Sequence, residues 1–296
     1  MSETLQADEL LIRLACFAGV FAVMALWEIA APRRGGTMRS LRWPNNLGVV
    51  ALDAALVRLA FPTAAVGLAL AAERNGWGLL NAADLPYWLA VAISVIALDL
   101  AIYFQHVLFH AVPTLWRLHR MHHADLAFDV TTGLRFHPVE ILLSMGIKLG
   151  VVAALGPPAV AVLIFEVLLN ATAMFNHGNV RLPAAVDRVL RWGVVTPDMH
   201  RVHHSIHPDE TNSNFGFNLS CWDRLFGTYR AQPRGGHQSM TIGIEQFRTP
   251  RDLWLDRMLV QPLKGPASGY PINRKERDAP GNPQETLPQS LNQGAP

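Results

Sequence analysis

The chain has 296 residues, 50% of them hydrophobic and only 16% charged, with a mean hydropathy of +0.19. Soluble domains carry about 25% charged residues, so this composition excludes a disordered protein and argues against an ordinary soluble enzyme. A formal net charge of +2 gives no basis for nucleic-acid binding, and two cysteines, Cys16 and Cys221, make neither a thiolate metal motif nor a disulfide framework.

From Leu10 to Ala31 the chain is almost wholly apolar, long enough to cross a bilayer as a helix. Acidic Glu3, Asp8 and Glu9 precede it and Arg33, Arg34, Arg39 and Arg42 follow it. That is the reverse of a secretory signal, and it predicts an uncleaved span with its arginines in the cytoplasm. A second span is expected from Leu47 to Ala72, and turn residues Asn75, Gly76 and Gly78 follow. A third runs from Tyr87 to His110 and is stopped by Pro113. The apolar stretch Ile141 to Phe175 is interrupted by Gly156-Pro157-Pro158, which predicts a helical hairpin rather than one long helix. The chain then becomes polar and arginine-containing, and from Pro266 it is rich in Pro, Gly, Asn and Gln.

The expectation is therefore an all-α, multi-pass membrane helical bundle, three spans plus a helical hairpin, with a cytosolic, helical, histidine-rich cap. Its predicted parts are the spans in 1–112, a cytosolic segment 113–140, the membrane hairpin 141–176, a cap 177–264 and a disordered tail 265–296.

Histidine is over-represented, with 12 copies. His106 and His110 form an HxxxH; His119, His122 and His123 form an HxxHH; His200, His203 and His204 form a second HxxHH. On a helix, positions i, i+3 and i+4 are neighbours, so such spacings converge imidazoles on a metal. Composition alone would produce about 0.02 HxxHH motifs per chain, so two are not accidental. His137, before the hairpin, and His177, after it, emerge at the same predicted face and complete a set of ten, whereas His207 and His237 are bystanders. Imidazole ligands suit Fe, Zn, Cu or Ni. Ten exceed the needs of one zinc site and suffice for two metals with about five nitrogens each. Carboxylates that orient ligand rings are expected behind them. Asp99 shares a helix face with Tyr103, His106 and His110, Asp198 lies two residues before His200, and Glu140 follows the Arg135-Phe136-His137-Pro138 stretch. Each of the three acids has a plain ion pair or packing hydrogen bond as its alternative.

With HxxxH, HxxHH and HxxHH, Arg135-Phe-His-Pro-Val-Glu140 between them, Pro197-Asp-Met-His-Arg-Val-His-His-Ser205, Asn214-Phe-Gly-Phe-Asn218 and Trp222-Asp-Arg-Leu-Phe-Gly-Thr228, the chain resembles the fatty acid hydroxylase/sterol desaturase superfamily, in particular its bacterial and alkylglycerol-monooxygenase-like members. The resemblance covers about Leu98 to Tyr229. It implies a multi-pass membrane protein, with a bacterial inner membrane as the expected location, and two histidine-ligated irons at the cytoplasmic side. The implied reaction is O2-dependent hydroxylation or desaturation of a fatty acyl, sterol or ether lipid. No nicotinamide, flavin or fused haem-binding segment is visible, so electrons are expected from a separate ferredoxin, cytochrome b5-like protein or reductase. Some members carry an HxxxH ending at the position of His177; here Ala173 fills the earlier slot, leaving that ligand missing or replaced by His137. The competing classes are a zinc-dependent membrane hydrolase with Glu140 or Asp198 as base, and a metal transporter. The clustering of the histidines toward one predicted face disfavours transport.

Overall fold

The computed structural model describes residues 2–267 and 269–273. Its helices are α1 (Ser2–Ala30), α2 (Arg39–Ala60), α3 (Ala64–Asn75), α4 (Tyr87–Ala111), α5 (Pro113–His123), α6 (Pro138–Leu155), α7 (Ala159–Asn176), α8 (Ala184–Leu190) and α9 (Pro197–His203), followed by short helical turns. Among the described residues there is no β-strand, only isolated bridges such as Val194 with Leu219. Five segments are long and apolar enough to cross a membrane: Asp8–Ala30, Arg39–Asn75, Tyr87–Ala111, Pro138–Leu155 and Ala159–Asn176. The chain is a helical membrane bundle with a histidine-rich polar cap.

The second segment differs from the single span expected from Leu47 to Ala72. Its first helix starts eight residues earlier than Leu47, at Arg39, and ends at Ala60. Phe61-Pro62-Thr63 interrupts it, because Pro62 has no backbone N–H to continue the ladder, and α3 resumes at Ala64. The hairpin turns where expected. Gly156 there has φ +59, and a Cβ on it would lie 2.1 Å from the Trp77 carbonyl, so glycine is required for the turn to pack on the α3–α4 connection.

The bundle core lies among α3, α4, α6 and α7, where Val66, Ala69, Leu98, Val152, Val162 and Phe165 are buried together. Small residues on α3 let the helices approach closely, the usual means of packing where lipid removes the hydrophobic drive between helices. Within this apolar setting, Glu166 on α7 accepts from Lys148 Nζ at 2.7 Å and lies 3.0 Å from Arg13. A buried charge in the membrane needs such partners.

The 14-residue connection between α5 and α6, residues 124–137, is tied down by one buried arginine. Arg42 donates from Nε and Nη2 to the two carboxylate oxygens of Asp125 at 2.6 and 2.7 Å, and also pairs with Asp129. All three side chains are fully buried. Arg135 does not meet Glu140; it donates to the Met121 carbonyl at 2.9 Å and lies 3.6 Å from Asp125. Thus α2 anchors the connection that leads from the first HxxHH into α6.

The tail is expected to be disordered from residue 265, but residues 265–267 and 269–273 are placed against the bundle's cap. Tyr270 is 1% exposed and stacks on Trp116, while the Ile272 N–H donates to the His110 carbonyl at 3.0 Å. Aromatic burial and backbone pairing thus outweigh the polar composition of this stretch. The remainder, 274–296, lies outside the described residues.

Candidate metal centre

Four helices deliver histidines to one end of the bundle. The last two turns of α4 carry His106 and His110, α5 carries the first HxxHH, α7 ends just before His177, and α9 begins the second HxxHH. Proline opens α5, α6 and α9 at the first turn, where its missing N–H costs no helix hydrogen bond.

Nine of the ten histidines meet, in two groups. His106, His110, His119, His123 and His203 form one; His122, His177, His200 and His204 form the other, and within each group the ring nitrogens lie within 4.8 Å of one another. All nine rings are buried. The two HxxHH motifs divide crosswise. Positions i and i+4 of the first, His119 and His123, enter the five-ring group, and its i+3 residue, His122, enters the other. In the second motif His200 and His204 enter the four-ring group and His203 the five-ring group. Helical geometry explains the division, since i and i+4 nearly eclipse whereas i+3 and i+4 diverge by about 100°. Adjacent rings of one motif therefore serve opposite groups, and His123 and His204 sit face to face at 4.6 Å between centroids across the boundary.

The donor set fits metal ions. In the five-ring group, Nδ1 of His106 donates to the Phe215 carbonyl (2.8 Å), that of His110 to Asn212 Oδ1 (3.1 Å), that of His119 to Glu140 Oε1 (2.6 Å) and that of His203 to the Ser213 carbonyl (2.8 Å). Each bond fixes the tautomer that leaves Nε2 with a lone pair, and all four Nε2 atoms are buried without a partner. His123 has no partner on either nitrogen. In the four-ring group, His177 Nδ1 donates to the Ala173 carbonyl at 2.8 Å, so its Nε2 has one lone pair. Yet Nε2 of His122 and of His200 both face it, at 3.2 and 3.1 Å. One lone pair cannot satisfy two such neighbours, whereas nitrogens about 3 Å apart suit adjacent positions around a metal with bonds of about 2.0–2.1 Å. Burial holds the His119 and His177 rings down to about 3, and His200, His203 and His204 lie well below the usual imidazole range with neighbouring rings reinforcing burial. The rings are thus neutral, the state a metal ligand needs.

His137 stands apart. It caps α6, its Nδ1 accepting from the Val139 N–H at 3.2 Å, while its Nε2 pairs with the Leu259 carbonyl. It therefore does not replace the ring absent at Ala173; that position instead supplies the carbonyl that orients His177. Gly133 permits this close approach, since a Cβ there would lie 2.5 Å from the Ala173 carbonyl oxygen and 2.9 Å from His177 Nδ1.

Of the three acids, only Glu140 reaches a ring. Asp99 instead accepts from the Asn218 and Leu219 N–H groups (3.3 and 3.2 Å) and from Trp222 Nε1 (2.8 Å). It points away from His106 because its lone pairs are used by the loop that carries the Phe215 carbonyl. Asp198 accepts from Arg33 Nε at 3.1 Å, pairs with Arg201 and lies 3.7 Å from His237 Nε2, so it meets none of the nine converging rings. Asp223 accepts from the Phe215 and Gly216 N–H groups at 2.7 and 2.9 Å and shapes the same loop. The sequence reading missed Asn212, Ser213 and Phe215 as partners of the rings. Two of them act through backbone carbonyls, which carry no side-chain signal; the only trace was the Asn214-to-Asn218 motif.

A cavity of about 310 Å³ abuts the five-ring group at His106, His119 and Glu140. Phe17, Val50, Phe109, Leu134, Phe136 and Met145 wall it, and it continues between α2, α4 and α6 to Lys148 and Arg13.

Residues 91–228 match the fatty acid hydroxylase family. The ornithine lipid hydroxylase OlsE of Rhizobium tropici is 31% identical over 160 residues, 54% of this chain and 46% of that protein. The alkylglycerol monooxygenase of Xenopus tropicalis is 26% identical over 213 residues (68% and 45%), and the cholesterol 25-hydroxylase of Rattus norvegicus 26% over 144 (48% and 47%). The chain thus spans about half the length of these relatives. No solved structure matches. The matched stretch carries all nine converging rings together with Glu140 and the loop that orients them, so the site lies wholly within the part of the chain that is similar to the fatty acid hydroxylase family.

Proposed function

We propose that the protein is a membrane-bound di-iron oxygenase that hydroxylates, or by loss of a second hydrogen desaturates, C–H bonds of a lipid. O2 is the oxidant and a separate ferredoxin, cytochrome b5-like protein or reductase supplies the electrons. The observation that carries this reading is the pair of buried, neutral, all-nitrogen ring groups, five and four, beside an apolar cavity between membrane helices. Its relatives' names, hydroxylases and a monooxygenase acting on lipids, support it.

His106, His110, His119, His123 and His203 would hold one iron, and His122, His177, His200 and His204 the other. Bound there, the irons would supply the capacity to oxidise an unactivated alkyl carbon. The residues of the chain do the rest. Glu140, Asn212 Oδ1 and the carbonyls of Ser213, Phe215 and Ala173 hold the rings at fixed tautomers and angles. The apolar wall accepts an alkyl chain and keeps water from the reacting carbon. The four-ring group would hold its metal with fewer protein nitrogens than the five-ring group. The arginines that follow α1 support a cytoplasmic cap by charge asymmetry, where a soluble donor can dock, and a bacterial inner membrane as its location.

Metal analysis of detergent-purified protein, with lipid profiling of cells that carry or lack the gene, tests this. Two irons per chain and an oxidised lipid that disappears with His122→Ala are expected. Stoichiometric zinc under iron-replete expression, with no O2 consumption, overturns it in favour of hydrolysis.

A further inference from the structure

The cavity beside the rings is not uniformly apolar. Asp53 on α2 lines it and is only 8% exposed, yet no hydrogen bond or ion pair reaches it among the described residues, and its Oδ1 is buried without a partner. Gln105 on α4, which also lines the cavity, presents a second unpaired acceptor, its Oε1, while its amide nitrogen donates to Ser144 Oγ on α6 at 2.7 Å. The cations of the same cavity do not answer these acceptors, because Lys148 and Arg13 are engaged by Glu166. An unpaired carboxyl between membrane helices is costly and marks a function with a partner to be named.

We infer that Asp53 and Gln105 form a polar subsite for a hydrogen-bond donor, a hydroxyl or an ammonium group, on the alkyl substrate. This deepens the lipid-oxidation reading and rests on it for the word substrate, though binding itself does not depend on turnover. Placement supports it. Gln105 immediately precedes His106, and Ser144 lies one helical turn, about 6 Å along the axis, beyond the Glu140 that holds His119. A donor held there keeps the adjoining carbons beside the five-ring group, with the remaining chain along the Phe17 and Met145 walls. Such a subsite selects by exclusion: a chain without the donor leaves two buried acceptors unpaired.

The test is equilibrium binding of radiolabelled hexadecanol, hexadecylamine and 1-methoxyhexadecane to the full-length protein in detergent, without reductant. The wild type is expected to bind the alcohol or the amine about tenfold or more tighter than the methyl ether. Asp53→Leu is expected to bring that ratio to within about twofold, with metal content and elution volume unchanged. Asp53→Asn separates the two donors, since it keeps an acceptor for the hydroxyl and removes the charge that holds an ammonium. Equal wild-type binding of ether and donor chains overturns the subsite, as does a preference that survives in both variants. Because no turnover is read, failure of lipid oxidation leaves this result standing, and failure of this result leaves the oxidation test standing.

Discussion

Glu140 accepts a hydrogen bond from Nδ1 of His119 across 2.6 Å, so a carboxylate in the first turn of α6 orients a ring carried on α5. The pair closes the cage on the side of the cavity, which both residues line. Orientation of this kind tunes a ligand without touching the metal.

Glu140→Gln is therefore expected to weaken metal retention or turnover by about 10–100-fold while the protein still folds. Metal content after dialysis against a graded chelator checks it. Unchanged retention and turnover would mean that the carboxylate only fills space.

His137→Ala and His122→Ala separate a capping ring from a cage ring. The first removes the acceptor for the Val139 N–H and should lower stability by about 1 kcal/mol with metal content unchanged. The second should remove metal from the four-ring group. Equal metal loss in both would return His137 to the ligand set.

Acidification should destabilise the metal-stripped protein, and the sign follows from burial. His119 and His177 are held to about 3 in the fold, against an ordinary value of 6.5. Between those values the unfolded chain binds more protons, so stability rises with pH and is lost as pH falls through that window. Each such ring contributes up to about 1.4 kcal/mol per pH unit there. Unfolding midpoints in detergent with chelator should drop between about pH 7 and pH 5; a flat profile contradicts neutral burial.

Arg42→Met should be among the most damaging changes outside the cage. It leaves Asp129 buried without a cation and Asp125 with Arg135 alone at 3.6 Å, at a cost of about 3–5 kcal/mol. Adding Asp125→Asn should recover part of the loss, read as folded yield by size exclusion. No recovery would mean that guanidinium packing matters more than charge.

Asp99→Ala tests the loop behind His106. It strands two backbone N–H groups and the Trp222 indole, each worth about 1–3 kcal/mol if left unpaired. The expected result is a lower unfolding midpoint and reduced turnover with both metals retained at saturating iron. Wild-type stability would show that water replaces the carboxylate.

Length, hydropathy and histidine spacing alone pointed to a helical membrane bundle, to a hairpin turn at Gly156-Pro157-Pro158 and to ten converging imidazoles, of which nine meet. Apolar runs, proline and helical periodicity are local properties, and a local pattern can be read without the fold. Tertiary structure decided that His119 and His123 separate from His122, that His137 caps a helix, and that Asp99 and Asp198 face a loop and two arginines. It also decided that Ser213 and Phe215 act through carbonyls and that Ala267 and Tyr270 pack against Trp116. Those outcomes depend on which distant groups compete for the same donor or acceptor. Asp198 illustrates the point: two residues from His200 in the chain, it is claimed by Arg33 from 165 positions away.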